Sequence, residues 1–452
     1  MFIPPSRLKS AALVMAILAQ PLVAAAETIT YGPMLARGPT PDTMIVRWGT
    51  QGSSDPGLVS WRKKGDATFA SVSGTAARDH EVVLTGLAPG SEFEYSIKSG
   101  SATSATYSFN SCPAAGLPMD VVFYGDSRSS PSAHARVVAE VQKHSPEIVF
   151  ESGDLVPSGT YAQYLGELFP VIKDMVATTP FMAAPGNHDN YSTLATNYGA
   201  IFPSPRPTGQ AWQPYYSFVC GNAMFIALNS NDIVGTAQLN FLTAQLRAAA
   251  ADTNVTHVLV WFHHSAYSPG SHGDNLDVQN KWVPLFNDPK NKVTAVFSGH
   301  DHLYARLKDA GSVLYIVSGG AGADLYSDNG RTRATKVVSK SAYNFVSLHI
   351  AGNTLSGTAF DDTGTQIDTF SVTKSDTPVT PPDMGTMPPA DGGAGSDGGG
   401  NVEEPPPPPT QMEMMGSGCS LGGLSGSSGG IGAGFAGVAL GLSLLRRRRK
   451  RG

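Results

Sequence analysis

Along residues 28–110 apolar and polar positions alternate, with almost no helical period. Residues 44–48, 58–61, 80–84 and 93–97 are strand candidates, separated by turn signals such as Pro89-Gly90 and Ser99-Gly100. Short strands at this spacing predict a small antiparallel sandwich. From residue 118 the pattern changes. Residues 121–124, 148–150, 258–262 and 293–297 are short apolar runs, while 133–143, 161–175 and 236–250 carry helical spacing. Strands alternating with helices predict an α/β domain, so the body divides near residue 115.

The two ends follow different rules. Residues 1–26 hold Arg7 and Lys9, then an apolar core from Ala11 to Val23, then Ala24-Ala25-Ala26. This order predicts a secretory signal peptide, because the apolar core is shorter than the roughly 20 residues a membrane span needs. Residues 375–418 are rich in Pro and Gly, including Pro405 to Pro409, and read as a disordered linker. Residues 419–452 run from Cys419 through a weakly apolar Gly/Ala/Leu stretch to the basic stop Arg446–Arg449. Taken alone this is a marginal transmembrane helix with its basic end on the cytoplasmic side. As a whole it resembles the tripartite C-terminal sorting signals of bacterial surface proteins, the myxobacterial Gly-Cys type most of all. That resemblance implies cleavage near Cys419 and attachment at the cell surface or outer membrane. The expected localisation is therefore exported, and anchored or secreted.

Charge narrows the function classes. The 452 residues carry 31 Lys+Arg and 36 Asp+Glu. Eight of the cations lie in the two terminal segments, which leaves 23 against 36, a net charge of −13. A body that acidic argues against a nucleic-acid partner. It still accommodates a small phosphate ester held by metal ions, whose charge dominates locally. Cys112 and Cys220 lie in the body, and an exported chain can oxidise them, but sequence does not decide whether they pair.

The candidate chemistry sits where apolar runs end. Asp126 and Asp154 each follow a glycine there. Asn187 and His188 stand in Gly186-Asn187-His188-Asp189. His263 closes a fourth run, and His300 and His302 stand in Gly299-His300-Asp301-His302. Strand ends in open α/β sheets are where sites form. A carboxylate, amide-oxygen and imidazole donor set suits divalent metals of intermediate hardness. One carboxylate can bridge two ions. A glycine–aspartate pair is usually only a turn, but five such strand ends in one chain point to a binuclear centre.

These motifs resemble the calcineurin-like metallophosphoesterases, and most of all the bacterial branch of the purple acid phosphatases. The likeness covers roughly residues 30–372, including 215–218, 223–229 and 316–322. Residues 84–95 look like the end of a fibronectin type III module. The resemblance implies a fibronectin-like N-terminal domain at 27–114. It implies a metallophosphoesterase domain at 115–374, an α/β four-layer α-β-β-α sandwich with metals at one edge. By motif, Asp154 bridges two ions (Fe, Zn or Mn). Asp126 and His302 belong to the first, and Asn187, His263 and His300 to the second. His188 matches a proton-donor or phosphate-contact histidine, and His272 one that faces the leaving group. The implied activity is hydrolysis of small phosphate monoesters by direct attack of a metal-bound hydroxide, with no covalent phospho-enzyme. His264 follows a ligand at a position where the family varies and is left unassigned.

Two departures stand out. The first motif reads Asp126-Ser127-Arg128, where many members carry a histidine ligand at the third place. Purple acid phosphatases place a tyrosine ligand three residues after the bridging aspartate, and here that position is Pro157. The first metal therefore lacks an expected protein ligand, and Tyr161 and Tyr164 are near in sequence but out of register. Arg128 is a candidate phosphate clamp, because guanidinium pairs two oxygens at once. Two other functional readings remain open: a phosphodiesterase or nucleotidase of the same superfamily, and a non-catalytic surface-binding protein with a degenerate metal site.

Overall fold

Strands Ile29–Arg37, Met44–Thr50 and Asp79–Leu84 pair antiparallel into a three-stranded sheet. Leu58–Lys63 pairs with Ala70–Ser73 on one side and Glu92–Ser99 on the other, and Tyr107–Asn110 joins the latter. The computed structural model describes residues 28–375, apart from 53, 54, 190 and 208. The predicted signal peptide, linker and C-terminal sorting segment lie outside the described residues. No helix among the described residues is long and apolar enough to cross a membrane. Val46, Trp48, Val59, Val82, Tyr95 and Ile97 fill the space between the two sheets. Trp48 is fully buried, stacks on His80 at 4.7 Å and donates its indole N–H to Ser99 Oγ at 3.0 Å. The expected sandwich is therefore present.

The second part is built on two mixed sheets. One runs Phe181–Ala183, Ile148–Glu151, Met119–Tyr124, Asn344–Ala351, Thr354–Asp361, Gln366–Thr373. The other runs Tyr216–Cys220, Ala223–Ala227, His257–His264, Val293–Gly299, Leu314–Ser318, Tyr304–Lys308, Thr335–Lys340. Strand side chains alternate between faces, and here both faces are covered. Phe123 and Phe150 of the first sheet meet Phe297 and Phe225 of the second, with ring centroids 3.9 Å apart for Phe123–Phe297 and 4.8 Å for Phe150–Phe225. Val122, Tyr124 and Val149 face outward under the helices Pro131–Lys143 and Phe169–Val176. Ile226, Val258 and Val260 face outward under Thr236–Ala251. The order helix, sheet, sheet, helix is the expected four-layer sandwich. Continuous apolar runs are what strands buried on both faces require.

The helix expected over 161–175 is interrupted. Tyr161–Gln163 and Phe169–Val176 are α-helical, and Tyr164–Leu168 between them is a π turn. Pro170 has no N–H to give to the preceding turn, which loosens the ladder there. Neither tyrosine in this stretch supplies the missing metal ligand. Tyr161 donates to Asp79 Oδ1 at 2.5 Å, and Tyr164 to Asp189 Oδ1 at 2.9 Å.

The two parts are tightly joined. Tyr95 donates to the carbonyl of Ala177, Arg47 to that of Gly199, and Arg206 reaches Glu81 at 2.7 Å. Cys112 and Cys220 form a disulfide 108 residues apart in sequence, which settles the question the sequence left open. Replacing both by serine is expected to cost about 2–5 kcal/mol. A urea-unfolding midpoint is the check, and an unchanged midpoint would mean that the interface holds without the bridge.

Candidate metal centre

Four strand-end loops carry the site. Asp126 follows Met119–Tyr124, Asp154 follows Ile148–Glu151, Asn187 and His188 follow Phe181–Ala183, and His300 and His302 follow Val293–Gly299. His263 lies within the end of His257–His264. Asp126, Asp154 and His300 adopt φ of 60°, 59° and 70°. Left-handed backbone at three non-glycine positions is costly and tends to gather at functional sites. The preceding glycines permit close approach of the loops. A Cβ on Gly186 would stand 2.2 Å from Asp154 Oδ1, and one on Gly299 2.2 Å from Asp126 Oδ2.

Hydrogen bonds fix which atoms remain available. The Nδ1 of His263 lies 3.0 Å from the Ser152 carbonyl, which only accepts, so Nδ1 donates. Its Nε2 lone pair is thereby aimed at Asn187 Oδ1 at 3.0 Å, His300 Nδ1 at 3.1 Å and Asp154 Oδ1 at 3.3 Å. In the same way His302 Nδ1 donates to the Asp324 carbonyl at 2.6 Å, leaving Nε2 to face Asp126 Oδ1 at 3.5 Å. Asp126 Oδ1 is buried and has no hydrogen-bond partner. Acceptor atoms crowded this closely, with the Arg128 guanidinium lying against Asp154 and His302, call for positive charge. His263 shows the demand. Burial lowers its pKa, but Asp154 and Asp126 outweigh burial and raise it to about 9. Burial would raise the pKa of Asp154, yet His263 and His188 hold it well below the carboxylate range. His300 is held low by burial and by the neighbouring imidazoles.

The donor set fits two metal ions. Asp154, Asn187 and His300 each lie within 3.3 Å of His263 Nε2, and His302 Nε2 lies 3.5 Å from Asp126 Oδ1. Ligating atoms of Asp126, Asp154 and His263 all lie within 4.8 Å of one another, as do those of His263, His264 and His300. His264 was unassigned from sequence, and the structure brings it into the imidazole cluster, its Nδ1 2.8 Å from Ser230 Oγ.

Around these atoms lie the other expected residues. His188 Nδ1 donates to the Pro157 carbonyl at 2.7 Å, and its Nε2 is 3.9 Å from Asp154 Oδ2. His272 is exposed and stacks on His300 with ring centroids 3.9 Å apart. Arg128 Nε is 3.3 Å from Asp154 Oδ2. All nine residues singled out from sequence thus gather at one edge of the sandwich.

Three residues escaped the sequence reading. Asp189 is fully buried and accepts from the backbone N–H of Asp154, Leu155 and Gly186. Burial and the Asp154 charge push its pKa up to about 7. Asp301 accepts from Ser268 Oγ and the N–H groups of His272 and Gly273, strapping the loop that carries His272. Both stand inside the quoted motifs, beside ligands, which was the available signal. Tyr326 stacks on His302 at 4.0 Å, and nothing in the sequence pointed to it.

Residues 119–304 match the calcineurin-like phosphoesterase model, and residues 31–111 the purple acid phosphatase N-terminal domain model. The chain carries a calcineurin-like phosphoesterase domain. The chain is 26% identical over 281 residues to an uncharacterized protein of Mycobacterium tuberculosis, covering 52% of this chain and 51% of the relative. It is 27% identical over 205 residues to the pig (Sus scrofa) tartrate-resistant acid phosphatase type 5, covering 40% and 56%. The chain thus spans about half the length of the curated relatives it matches. A solved purple acid phosphatase from yellow lupin (Lupinus luteus) seeds superposes with a TM-score of 0.66 at 19% identity, covering 77% of this chain and 74% of that one. At that identity the likeness establishes the fold alone.

Proposed function

We propose that this phosphoesterase hydrolyses small phosphate monoesters at the Asp126–His302 edge. The observation that carries the reading is the convergence of Asp154 Oδ1, Asn187 Oδ1, His263 Nε2 and His300 Nδ1, with Asp126 and His302 beside them. When bound, two ions would supply Lewis-acid polarisation of the phosphoryl group and a water acidic enough to ionise near neutral pH. The side chains do the rest. Arg128 offers a guanidinium fork to phosphoryl oxygens. His188, held by Pro157, presents Nε2 toward the same space. His272 stands exposed on the His300 ring and protonates the departing oxygen.

His272→Ala is expected to lower kcat about 10²-fold on an alkyl phosphate, and far less on a nitrophenyl phosphate, whose leaving group needs no proton. Equal losses on both would assign His272 to binding instead. Rates on monoesters against diesters separate the monoesterase from a phosphodiesterase or nucleotidase. Metal-replete protein that hydrolyses neither would leave the surface-binding reading.

Export with attachment at the cell surface is part of the same proposal. It is supported by the basic-apolar-small order of residues 1–26, the Gly-Cys and Arg-rich C-terminal pattern, and the Cys112–Cys220 bridge, which suits an oxidising compartment. Fractionation of intact cells after surface proteolysis tests it.

A further inference from the structure

Arg128 occupies an unusual place. Its Nε is 3.3 Å from Asp154 Oδ2, and its Nη2 is 3.5 Å from His302 Nε2. Nη1 rests 3.2 Å from Ser129 Oγ, and the backbone N–H of Arg128 donates to the Asp154 carbonyl. The side chain is largely covered, at 16% exposure. The guanidinium therefore lies on two of the three donors, Asp154 and His302, that a first metal ion would use beside Asp126.

An imidazole nitrogen has one lone pair. His302 Nδ1 is committed as a donor to Asp324, so Nε2 serves either a metal ion or the guanidinium, not both. The first site is also short of protein ligands, because Pro157 stands where the family's tyrosine would be and Arg128 itself stands where a histidine would be. Among the described residues no guanidinium lies on Asn187, His263 or His300 of the second site, and His263 is fixed by Ser152.

A phosphate group changes this balance. It offers paired oxygens that match the guanidinium fork better than one imidazole nitrogen and one carboxylate oxygen, and it brings an oxygen ligand for the ion. We propose that Arg128 and the first metal ion exclude one another on Asp154 and His302, and that a phosphate-bearing ligand loads the first site by drawing Arg128 away. This rests on the two-ion phosphoesterase reading and adds an order of assembly: second site first, then phosphate with the first ion.

The test needs no turnover. The full chain is titrated with Mn(II), and bound ions are counted by equilibrium dialysis and by the spin-coupled signal of a metal pair. Titrations run in chloride and in inorganic phosphate at matched ionic strength. In chloride one ion is expected to bind tightly and the second weakly. Phosphate should tighten the second by about 10- to 100-fold, and by linkage Mn(II) should tighten phosphate by the same factor. Arg128→Gln is expected to bind the second ion more tightly than wild type in chloride and to lose most of the phosphate effect. Two equally tight ions in wild-type protein without phosphate would overturn the proposal, whatever the variant does. A second-site affinity unmoved by phosphate would do the same. Failure to bind any ion would overturn the phosphoesterase reading as well, which separates the two.

Discussion

Asp154→Asn is expected to abolish turnover while leaving the chain folded. Both carboxylate oxygens of Asp154 are engaged, with His263 3.3 Å from Oδ1 and Arg128 3.3 Å from Oδ2. An amide keeps the shape and tolerates the left-handed φ of 59° at this position. It removes the negative charge and puts two N–H donors where a cation belongs. Bound metal supplies several kcal/mol to a phosphoryl transition state, and about 4 kcal/mol corresponds to roughly a thousandfold in rate. Thermal melting of the metal-free variant should fall by only a few degrees, because the lost attraction of His263 and His188 for the carboxylate is partly offset by relief of its repulsion with Asp189. Metal content and hydrolysis of a monoester are measured on the same preparation. Substantial activity in the variant would sink the bridging role.

Asp189→Ala is expected to lose both stability and metal binding. The carboxylate receives the N–H groups of Asp154, Leu155 and Gly186 and the Tyr164 hydroxyl, so it ties the Asp154 loop to the Asn187 loop. Truncation leaves these donors buried without partners. Each unsatisfied group costs about 1–3 kcal/mol, so a total of roughly 3–5 kcal/mol is expected after partial relaxation. Tyr164→Phe removes one of the four donors and should cost about 1 kcal/mol with little effect on activity. Urea unfolding of both variants, read with their Mn(II) affinity, gives the comparison. If Asp189→Ala melts like wild type, water has replaced the carboxylate and the loops are held by something else.

Much of this was legible before any coordinates. The runs ending at Asp126, Asp154 and His263 showed strand ends because a strand buried on both faces is largely apolar, so the polar residue that closes it marks where the apolar core gives way to the buried polar site. Helix Thr236–Ala251 matched its expected span closely, with Leu242, Leu246 and Ala249 recurring on its buried face. The π turn at Tyr164–Leu168 was not foreseen. A proline near a helix start is ordinarily tolerated, and only the pull of Asp189 on Tyr164 shows what the loosened turn accomplishes.

The order of motifs, the donor types and the two missing ligands at Arg128 and Pro157 are properties of the linear chain, since each depends only on which residue follows which strand. The pairing of Cys112 with Cys220, the role of Asp189 and Asp301 as straps, the entry of His264 into the imidazole cluster and the seat of Arg128 on Asp154 and His302 are not. They depend on distances between segments 26 to 174 residues apart in sequence, set by how two sheets pack face to face. A lone pair's direction is fixed by what its neighbour donates to, and that neighbour is chosen in three dimensions.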